Sequence, residues 1–454
     1  MAPVNRGVER WLSVLGNVAI VFALSQFHGR VIADEKYSFA GTSRFGWAIT
    51  FLAVLTLTTY AVGLPDQPRT VAQCAGSASI AALGGALGVS LFQLATGDAL
   101  LPRFVVFATA VAVVPWQVLV NALSRQQQER DGDRDRVLLI ATPAERERLM
   151  DDLELEPERG ATLVGALDRR EAVGDGSGEQ PILEAQRRTA ATVVVIDRLA
   201  IADDRVVAQV ARLHESGVRV RSLVGFYEEW LGKLPVSELE RASLFFDIGG
   251  LHDATYTRVK RVVDVALAAL GTLLLMALTP FVLLGNAVAN RGPLFYRQTR
   301  IGKAGKPFTI LKFRTMRPEG ASLRGAPADG RWTDRDDPRV TPFGRLLRRS
   351  HLDELPQVLN IVRGDLAVVG PRPEQPHYVE ELAGKLAFYD LRHLVRPGLT
   401  GWAQVKYGYA GDERDALEKL QYEFFYLRRQ SLSRDARIVA RTLRSIVGGR
   451  GAGR

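Results

Sequence analysis

The run VVDVALAALGTLLLMALTPFVLLGNAVA, Val262–Ala289, decides how this chain is organised. On length alone it suffices to cross a bilayer, because a helix needs about 20 apolar residues to span the hydrocarbon core. Its flanks argue otherwise. Arg258, Lys260 and Arg261 precede it, and Arg291, Arg297 and Arg300 follow it. Basic residues at both ends want the same cytoplasmic face. Inside the run stands Thr279-Pro280, and a proline removes a helical hydrogen bond and bends or breaks the helix. A helix that enters one leaflet, turns at Thr279-Pro280 and returns satisfies both facts. The alternative is a kinked full span, which would place everything downstream outside the cell.

Upstream, four apolar stretches precede residue 125: Trp11–Phe27, Gly46–Gly63, Val71–Ala95 and Phe104–Leu123. Each is near spanning length. No small-residue cleavage site ends the first, and further spans follow, so it reads as a retained span rather than a signal peptide. Arg6 and Arg10 precede the first span, while Arg125, Arg130, Arg134 and Arg136 follow the fourth. The positive-inside rule then places both ends in the cytoplasm, with Arg30, Lys36 and Arg44 of the first external loop weakening the bias. Across 454 residues, 59 Lys and Arg stand against 50 Asp and Glu, a net charge of +9. The arginines gather around apolar segments and in the C-terminal third, which suits an anionic membrane and phosphates rather than nucleic acid. Cys74, the single cysteine, lies inside an apolar run, so an intrachain disulfide is excluded and a Cys-based metal site is not expected.

From Arg136 short apolar runs alternate with helical ones: Val137–Ile140, Pro143–Leu155, Thr162–Leu167, Thr192–Ile196, Ala202–Ser216 and Val218–Val224. This is the pattern of a small parallel α/β, Rossmann-like domain. A dinucleotide site would need glycines after the first strand so that backbone could approach a pyrophosphate. Here the turn reads Ala141-Thr142-Pro143-Ala144-Glu145, and the domain is read as structural or regulatory. The expected organisation is therefore a membrane α-helical bundle over residues 1–130, the α/β domain over 131–250, and a catalytic domain over 251–454 that begins with the helix at about 262–289.

The chemistry concentrates downstream. Gly344-Arg345-Leu346-Leu347-Arg348-Arg349-Ser350-His351-Leu352-Asp353-Glu354-Leu355-Pro356-Gln357 sets two adjacent carboxylates among several guanidinium groups. Nearby positive charge is expected to keep both ionised. Two hard oxygen ligands beside a phosphate also suit Mg²⁺, with phosphate completing its shell. An ionised Asp can attack phosphorus and split one difficult transfer into two. The plain alternative is a helix face on which Arg349 pairs with Asp353 at i,i+4. Pro356 interrupts that helix, and Gly370-Pro371-Arg372-Pro373 holds Arg372 on a stiff turn suited to binding phosphate.

Residues from about Arg258 to Val447 resemble the catalytic domain of the bacterial sugar transferases, the monotopic phosphoglycosyl transferase superfamily. The matching signatures stand in order. They are Lys260-Arg261-Val262-Val263-Asp264, Gly292-Pro293-Leu294-Phe295-Tyr296-Arg297-Gln298, Ile301-Gly302, Lys312-Phe313-Arg314-Thr315-Met316 and Asp337-Pro338-Arg339-Val340-Thr341. Leu352-Asp353-Glu354-Leu355-Pro356-Gln357, Gly364-Asp365, Val369-Gly370-Pro371-Arg372-Pro373 and Arg396-Pro397-Gly398-Leu399-Thr400-Gly401-Trp402-Ala403-Gln404-Val405 continue the series. The four preceding spans and the α/β module resemble the large polytopic members that prime exopolysaccharide, capsule or O-antigen synthesis.

The resemblance implies an α+β catalytic fold with a re-entrant membrane helix broken at Thr279 and Pro280. It implies that Asp353 attacks the β-phosphate of a UDP-sugar, releases UMP, and is displaced by the phosphate of a polyprenyl (undecaprenyl) carrier. Glu354 would assist Asp353 and share Mg²⁺ with it, and Lys312, Arg314, Arg348 and Arg372 would bind phosphates. The enzyme would sit in the bacterial inner membrane with its catalytic domain on the cytoplasmic face. A homodimer through the membrane and α/β parts is a further expectation.

One departure concerns substrate choice. After Gln404-Val405 many members carry Asn-Gly-Arg or Ser-Gly-Arg, whereas this chain has Lys406-Tyr407-Gly408-Tyr409, and Glu418-Lys419-Leu420-Gln421-Tyr422 resembles an exopolysaccharide-exporting subgroup. Tyr422, Phe424, Phe425 and Tyr426, mixed with Arg428 and Arg429, fit either an amphipathic core helix or an interfacial membrane contact. His351 reads as a neighbour of the carboxylates rather than a ligand. Tyr256-x-x-x-Lys260 has dehydrogenase spacing with no glycine-rich loop upstream. Two rival functions remain open: a membrane-anchored nucleotide-sugar dehydratase, which needs a second NAD fold in the C-terminal third, and a non-catalytic scaffold of a polysaccharide assembly complex.

Overall fold

Four helices form over the N-terminal apolar stretches: Arg6–Phe27, Ser43–Ala61, Val71–Thr96 and Arg103–Arg130. The structure is a computed structural model that describes residues 6–32, 43–64, 71–96, 101–130, 135–155, 158, 160–174, 180–236, 254–289, 293–316, 339–386, 388–407 and 413–447. Lys36, Arg134, Arg291, Gly292, residues 318–338, Gly408, Tyr409 and residues 448–454 lie outside these residues. Two compact units are present, one of Met1–Gly132 with Ser433–Val447, the other of Asp133–Leu432 with Gly448–Arg454.

In the first unit, Trp11–Ile32, Val71–Ser90 and Arg103–Leu123 are long and apolar enough to cross a membrane, and in the second unit so is Ala254–Ala289. The helix Ser43–Ala61 forms at 19 residues but carries Arg44 and four threonines, and it falls outside that group. Lipid provides no hydrophobic drive for helix pairing, so polar contacts help to fix it. Ser13 donates to Gln117 Oε1 at 3.0 Å, and Gln117 Nε2 donates to Asn17 Oδ1 at 3.0 Å, joining the first and fourth helices. The helix Leu432–Val447 contributes Arg437, whose Nη2 donates to the Tyr60 hydroxyl at 2.7 Å.

The second unit begins with four parallel strands, β1 (Asp135–Ile140), β2 (Ala161–Leu167), β3 (Val193–Ile196) and β4 (Arg219–Ser222), in the order β2-β1-β3-β4. Side chains of a strand alternate between faces. Leu138, Ile140, Val194 and Ile196 accordingly pack under the helices Pro181–Thr189 and Asp204–Glu215. Val137, Leu139, Val193 and Val195 face Leu149, Phe226 and Trp230 on the other side. Burial on both faces explains the unbroken apolar strands. Each strand leads into a residue that caps the next helix. Thr142, Asp168, Asp197 and Ser222 accept from the backbone N–H of Glu145, Arg169, Ala200 and Gly225.

The rest of this unit is built on the helix Ala254–Ala289, which runs continuously with Pro280 inside it. Thr279 donates to the Leu275 carbonyl at 2.6 Å, a back-bond that bends helices and precedes the missing proline donor. Ala268 and Leu275 before the proline and Val282 after it share one buried cluster with Phe313, Leu347, Val358 and Ile361. Val262, Leu273, Phe281, Leu284 and Val288 are exposed elsewhere on the helix. β5 (Phe295–Ile301) pairs antiparallel with β6 (Pro307–Phe313), and β7 (Ala367–Val369) pairs parallel with β8 (Gly398–Thr400). These short pairs do not make the second parallel nucleotide fold that a dehydratase needs. The C-terminal segment forms two helices, Glu413–Arg428 and Leu432–Val447. Tyr422, Phe424, Phe425 and Tyr426 are buried, which decides for the core reading of that segment.

Candidate active site

Lys312 stands one residue from the end of β6, opposite Tyr296. Asn360, fully buried, fixes this strand: its Oδ1 accepts from Leu311 N at 3.1 Å, and its Nδ2 donates to the Thr309 carbonyl at 2.7 Å and to Asp365 Oδ2 at 3.2 Å. An amide at zero exposure that satisfies strand backbone is costly to replace. Asn360 belongs to the helix Val358–Arg363, whose last carbonyls at Ile361 and Val362 accept from Arg261 at 2.6 and 2.9 Å. Asp264 accepts from Val368 N at 3.1 Å and ties the long helix to β7. Lys260, Arg261 and Asp264, the first signature read from the sequence, thus align the scaffold rather than the chemistry.

Asp353 and Glu354 lie on the 3₁₀ turn Leu352–Gln357, immediately before that helix. The preceding helix Pro342–Arg349 closes at Ser350, and His351 takes a left-handed conformation with φ 54°. Arg349 and Asp353 are therefore on different elements, so the i,i+4 pair considered for one continuous helix has no helix to form on. Glu354 Oε1 accepts from Lys312 Nζ at 2.6 Å and meets Arg372 Nη2 at 3.5 Å. Arg348 Nε donates to Thr315 Oγ1 at 3.0 Å, and Arg314 Nε donates to the Pro293 carbonyl at 3.0 Å. Lys312, Arg372 and Glu354 are brought into contact. Arg348 and His351 act on Asp353 through their field, and Arg314 bonds to the entry of β5.

The two carboxylates differ. Burial would raise Glu354, but Lys312 and Arg372 outweigh it and hold the group down at about 2. Burial and the charge of Glu354 push Asp353 up to about 6, against the opposing pull of Lys312, Arg348 and His351. Surrounding cations thus lower Glu354 as expected but do not lower Asp353, which still ionises at neutral pH. Lys312 and Arg372 both bond to Glu354 and leave the Asp353 charge short of partners. A carboxylate without an ion pair of its own can take a divalent cation, and Mg²⁺ takes one or two carboxylates with substrate oxygens. Among the described residues no group of three or more His, Cys, Asp or Glu side chains could enclose a metal, so the remaining ligands would have to be phosphate or water.

Arg372 sits on a turn whose carbonyls are successively engaged. Pro371 O accepts from Gly398 N at 2.9 Å, Arg372 O from Arg392 Nη2 at 2.8 Å, Pro373 O from Arg300 Nη1 at 3.2 Å, and Glu374 O from Ile301 N at 2.9 Å. Prolines have no N–H, so the turn is held through these acceptors. Arg392 and Glu423 were missed by sequence reasoning. Both are buried and share a two-pronged pair of 2.9 and 2.8 Å, and nothing local in the sequence marks residues that meet only in the fold. Lys419 was noted only as a subgroup marker. Burial lowers it to about 8, with Glu374 raising it, Arg372 lowering it, and Glu423 and Arg392 opposed in the same way.

Comparison with known proteins agrees with this geometry. Residues 255–449 match the family model described as bacterial sugar transferase. A UDP-N-acetylgalactosamine-undecaprenyl-phosphate N-acetylgalactosaminephosphotransferase of Aeromonas hydrophila is 38% identical over 197 residues, 43% of this chain and 45% of that protein. A UDP-glucose:undecaprenyl-phosphate glucose-1-phosphate transferase of Caulobacter vibrioides is 41% identical over 192 residues, 41% of this chain and 69% of that protein. An undecaprenyl-phosphate glucose phosphotransferase of Komagataeibacter xylinus is 30% identical over 336 residues, 70% of this chain and 60% of that protein. The matched stretches thus cover from under half to about two thirds of these relatives, and the Komagataeibacter match, at 336 residues, is longer than the stretch 255–449 that the family model covers. The ordered signatures, the carboxylate turn and the family match together place the chain in the bacterial sugar transferase family.

Proposed function

We propose that the chain transfers a sugar 1-phosphate from a UDP-hexose to undecaprenyl phosphate and releases UMP. The observation that carries this reading is the asymmetry of the carboxylate pair, with Glu354 neutralised by Lys312 and Arg372 and Asp353 left with unmatched charge. Asp353 attacks the β-phosphorus, and the bond from that phosphorus to the bridging oxygen breaks so that UMP departs with the electron pair. The acyl phosphate left on Asp353 is then attacked by a carrier phosphate oxygen, which restores the carboxylate. Arg372, Lys312 and Arg348 stabilise the charge that develops on the transferred phosphoryl oxygens. Asp353 and Glu354 would hold Mg²⁺, which supplies charge neutralisation on the diphosphate.

The helix Ala254–Ala289 supports a re-entrant geometry. Both its halves pack on one core, and an apolar surface remains exposed. The active site would then rest at the cytoplasmic face of the inner membrane, where a polyprenyl phosphate presents its head. The strand order of the α/β module supports a Rossmann-like reading of it, and a homodimer through the membrane and α/β parts is part of the same proposal. The deciding experiment incubates purified protein with Mg²⁺ and UDP-sugars labelled in the β-phosphate. Native protein should carry label that added undecaprenyl phosphate discharges, and Asp353→Asn should carry none. Release of UMP without any labelled protein would sink the covalent step.

A further inference from the structure

Within the second unit, the α/β module meets the C-terminal part through a seam whose far side leads to Arg372. Lys233, 1% exposed, puts its ammonium 2.5 Å from Asp152 within the module and 2.7 Å from Glu418 of the helix Glu413–Arg428. The rings of Tyr227 and Tyr422 lie 5.8 and 5.7 Å from that ammonium. Trp402 Nε1 donates to the Gly232 carbonyl at 2.7 Å, Lys406 meets Glu158 at 2.7 Å, and Glu228 receives Arg428 and Arg429 at 3.1 and 2.7 Å. Lys406-Tyr407 is the place where the sequence leaves the family pattern. Its lysine serves the seam, and the Tyr407 hydroxyl donates to Asp415 Oδ1 at 2.7 Å near the start of the same helix.

Five residues beyond Glu418, that helix carries Glu423. Glu423 grips Arg392, and Arg392 donates to the Arg372 carbonyl at 2.8 Å and to the Tyr389 hydroxyl at 2.6 Å. Burial would lower Arg392, but Glu423 raises it, so the pair stays charged and directional. A bidentate guanidinium–carboxylate pair fixes orientation as well as distance.

We propose that the α/β module is a positioning element of the active site. It braces the helix Glu413–Arg428, and through Glu423 and Arg392 that helix holds the Arg372 turn against Glu354. Lys233, Glu423 and Arg392 are then positioning residues. The catalytic consequence rests on the proposed phosphate-binding role of Arg372, whereas the mechanical consequence does not.

Two measurements on the full chain in detergent or nanodiscs separate these. Amide hydrogen exchange of a peptide covering residues 366–375 should rise in Lys233→Gln and in Arg392→Lys, while β1 and β3 stay protected. If Lys233→Gln does not fold, Glu158→Gln, which breaks the Lys406 contact alone, serves in its place. Unchanged exchange at residues 366–375 in a folded seam variant overturns the proposal whether or not the protein is a transferase. For UMP release, the seam variant should lower kcat/KM for the donor about tenfold in the native background and less than about twofold in Arg372→Ala, the non-additive result of residues acting as one unit. Equal losses in both backgrounds also overturn it. If the native protein transfers nothing but exchange rises as stated, the functional reading falls and the bracing stands.

Discussion

Asp353 and Glu354 are chain neighbours on one turn, yet they hold their charges on opposite terms. Asp353 has a folded value of about 6 against an ordinary 3.8. Its favourable contribution is complete below pH 3.8 and is lost as pH rises through about 6, so at neutral pH the ionised group destabilises the fold. Asp353→Asn should therefore stabilise the fold at pH 7.5 in EDTA by about 1–2 kcal/mol after allowance for coupling to Glu354 and raise the unfolding midpoint accordingly, while abolishing the covalent adduct. A thermal scan of both proteins checks this, and equal midpoints would refute it. Glu354 has the reverse sign. Its stabilising effect is present above 4.5 and is lost as pH falls towards about 2. Lys419 limits the alkaline side. Burial has lowered it to about 8 within the field of Arg372 and Glu374, so kcat/KM for the donor should fall as pH rises through 8 and the lysine loses its charge. Lys419→Arg should carry that limb to higher pH, as a pH profile from 7 to 10 of native and variant protein would read.

At the scale of elements, the membrane helix was the most legible feature of the sequence and the carboxylate turn the least. Apolar length, basic flanks and Thr279-Pro280 are local facts that predict a helix and a bend. The continuous course of Ala254–Ala289 through Pro280 is tertiary. The threonine back-bond lies where the sequence leads one to expect a bend, and contacts with one core on both sides of the proline hold the helix together. Periodicity also suggested a helix through Asp353, but the left-handed His351 ends it, and no residue type there announces that break. The contacts of the long helix yield an ordered prediction. A Cβ on Gly285 would come 2.2 Å from the Phe343 ring, whereas one on Gly271 would come 2.8 Å from a single methyl of Val358. Gly285→Ala should destabilise by about 1–3 kcal/mol and Gly271→Ala by less, since a rigid ring gives way less readily than a methyl. Denaturation of the two variants in one detergent provides the comparison.

At the scale of the whole molecule, the α/β module is a parallel sheet whose helix starts carry caps made by its own side chains. Its parallel strands were readable as short apolar runs alternating with helical ones, and the missing glycine loop was readable from the turn after the first strand. The sequence does not disclose what takes the loop's place. In this topology anions bind beyond the carboxyl ends of the strands, where helix N-termini expose free N–H groups. Here one such N–H in each helix is already answered, by Thr142, Asp168, Asp197 and Ser222. Pro143 supplies no donor at the first helical position, and Asp197 is fully buried and bound to Arg169 at 2.6 Å. A diphosphate entering there would displace internal caps and confront two carboxylates. The donor nucleotide should therefore engage the C-terminal part of the second unit alone. Hydrogen exchange with saturating UDP-sugar and Mg²⁺, in the Asp353→Asn variant so that turnover cannot intervene, should protect peptides around residues 310–316, 346–356 and 366–375. The β1–Pro143 turn should exchange as in the free protein. Protection at residues 140–146 would mean that the module binds nucleotide despite its caps, and would give it a substrate role in place of bracing.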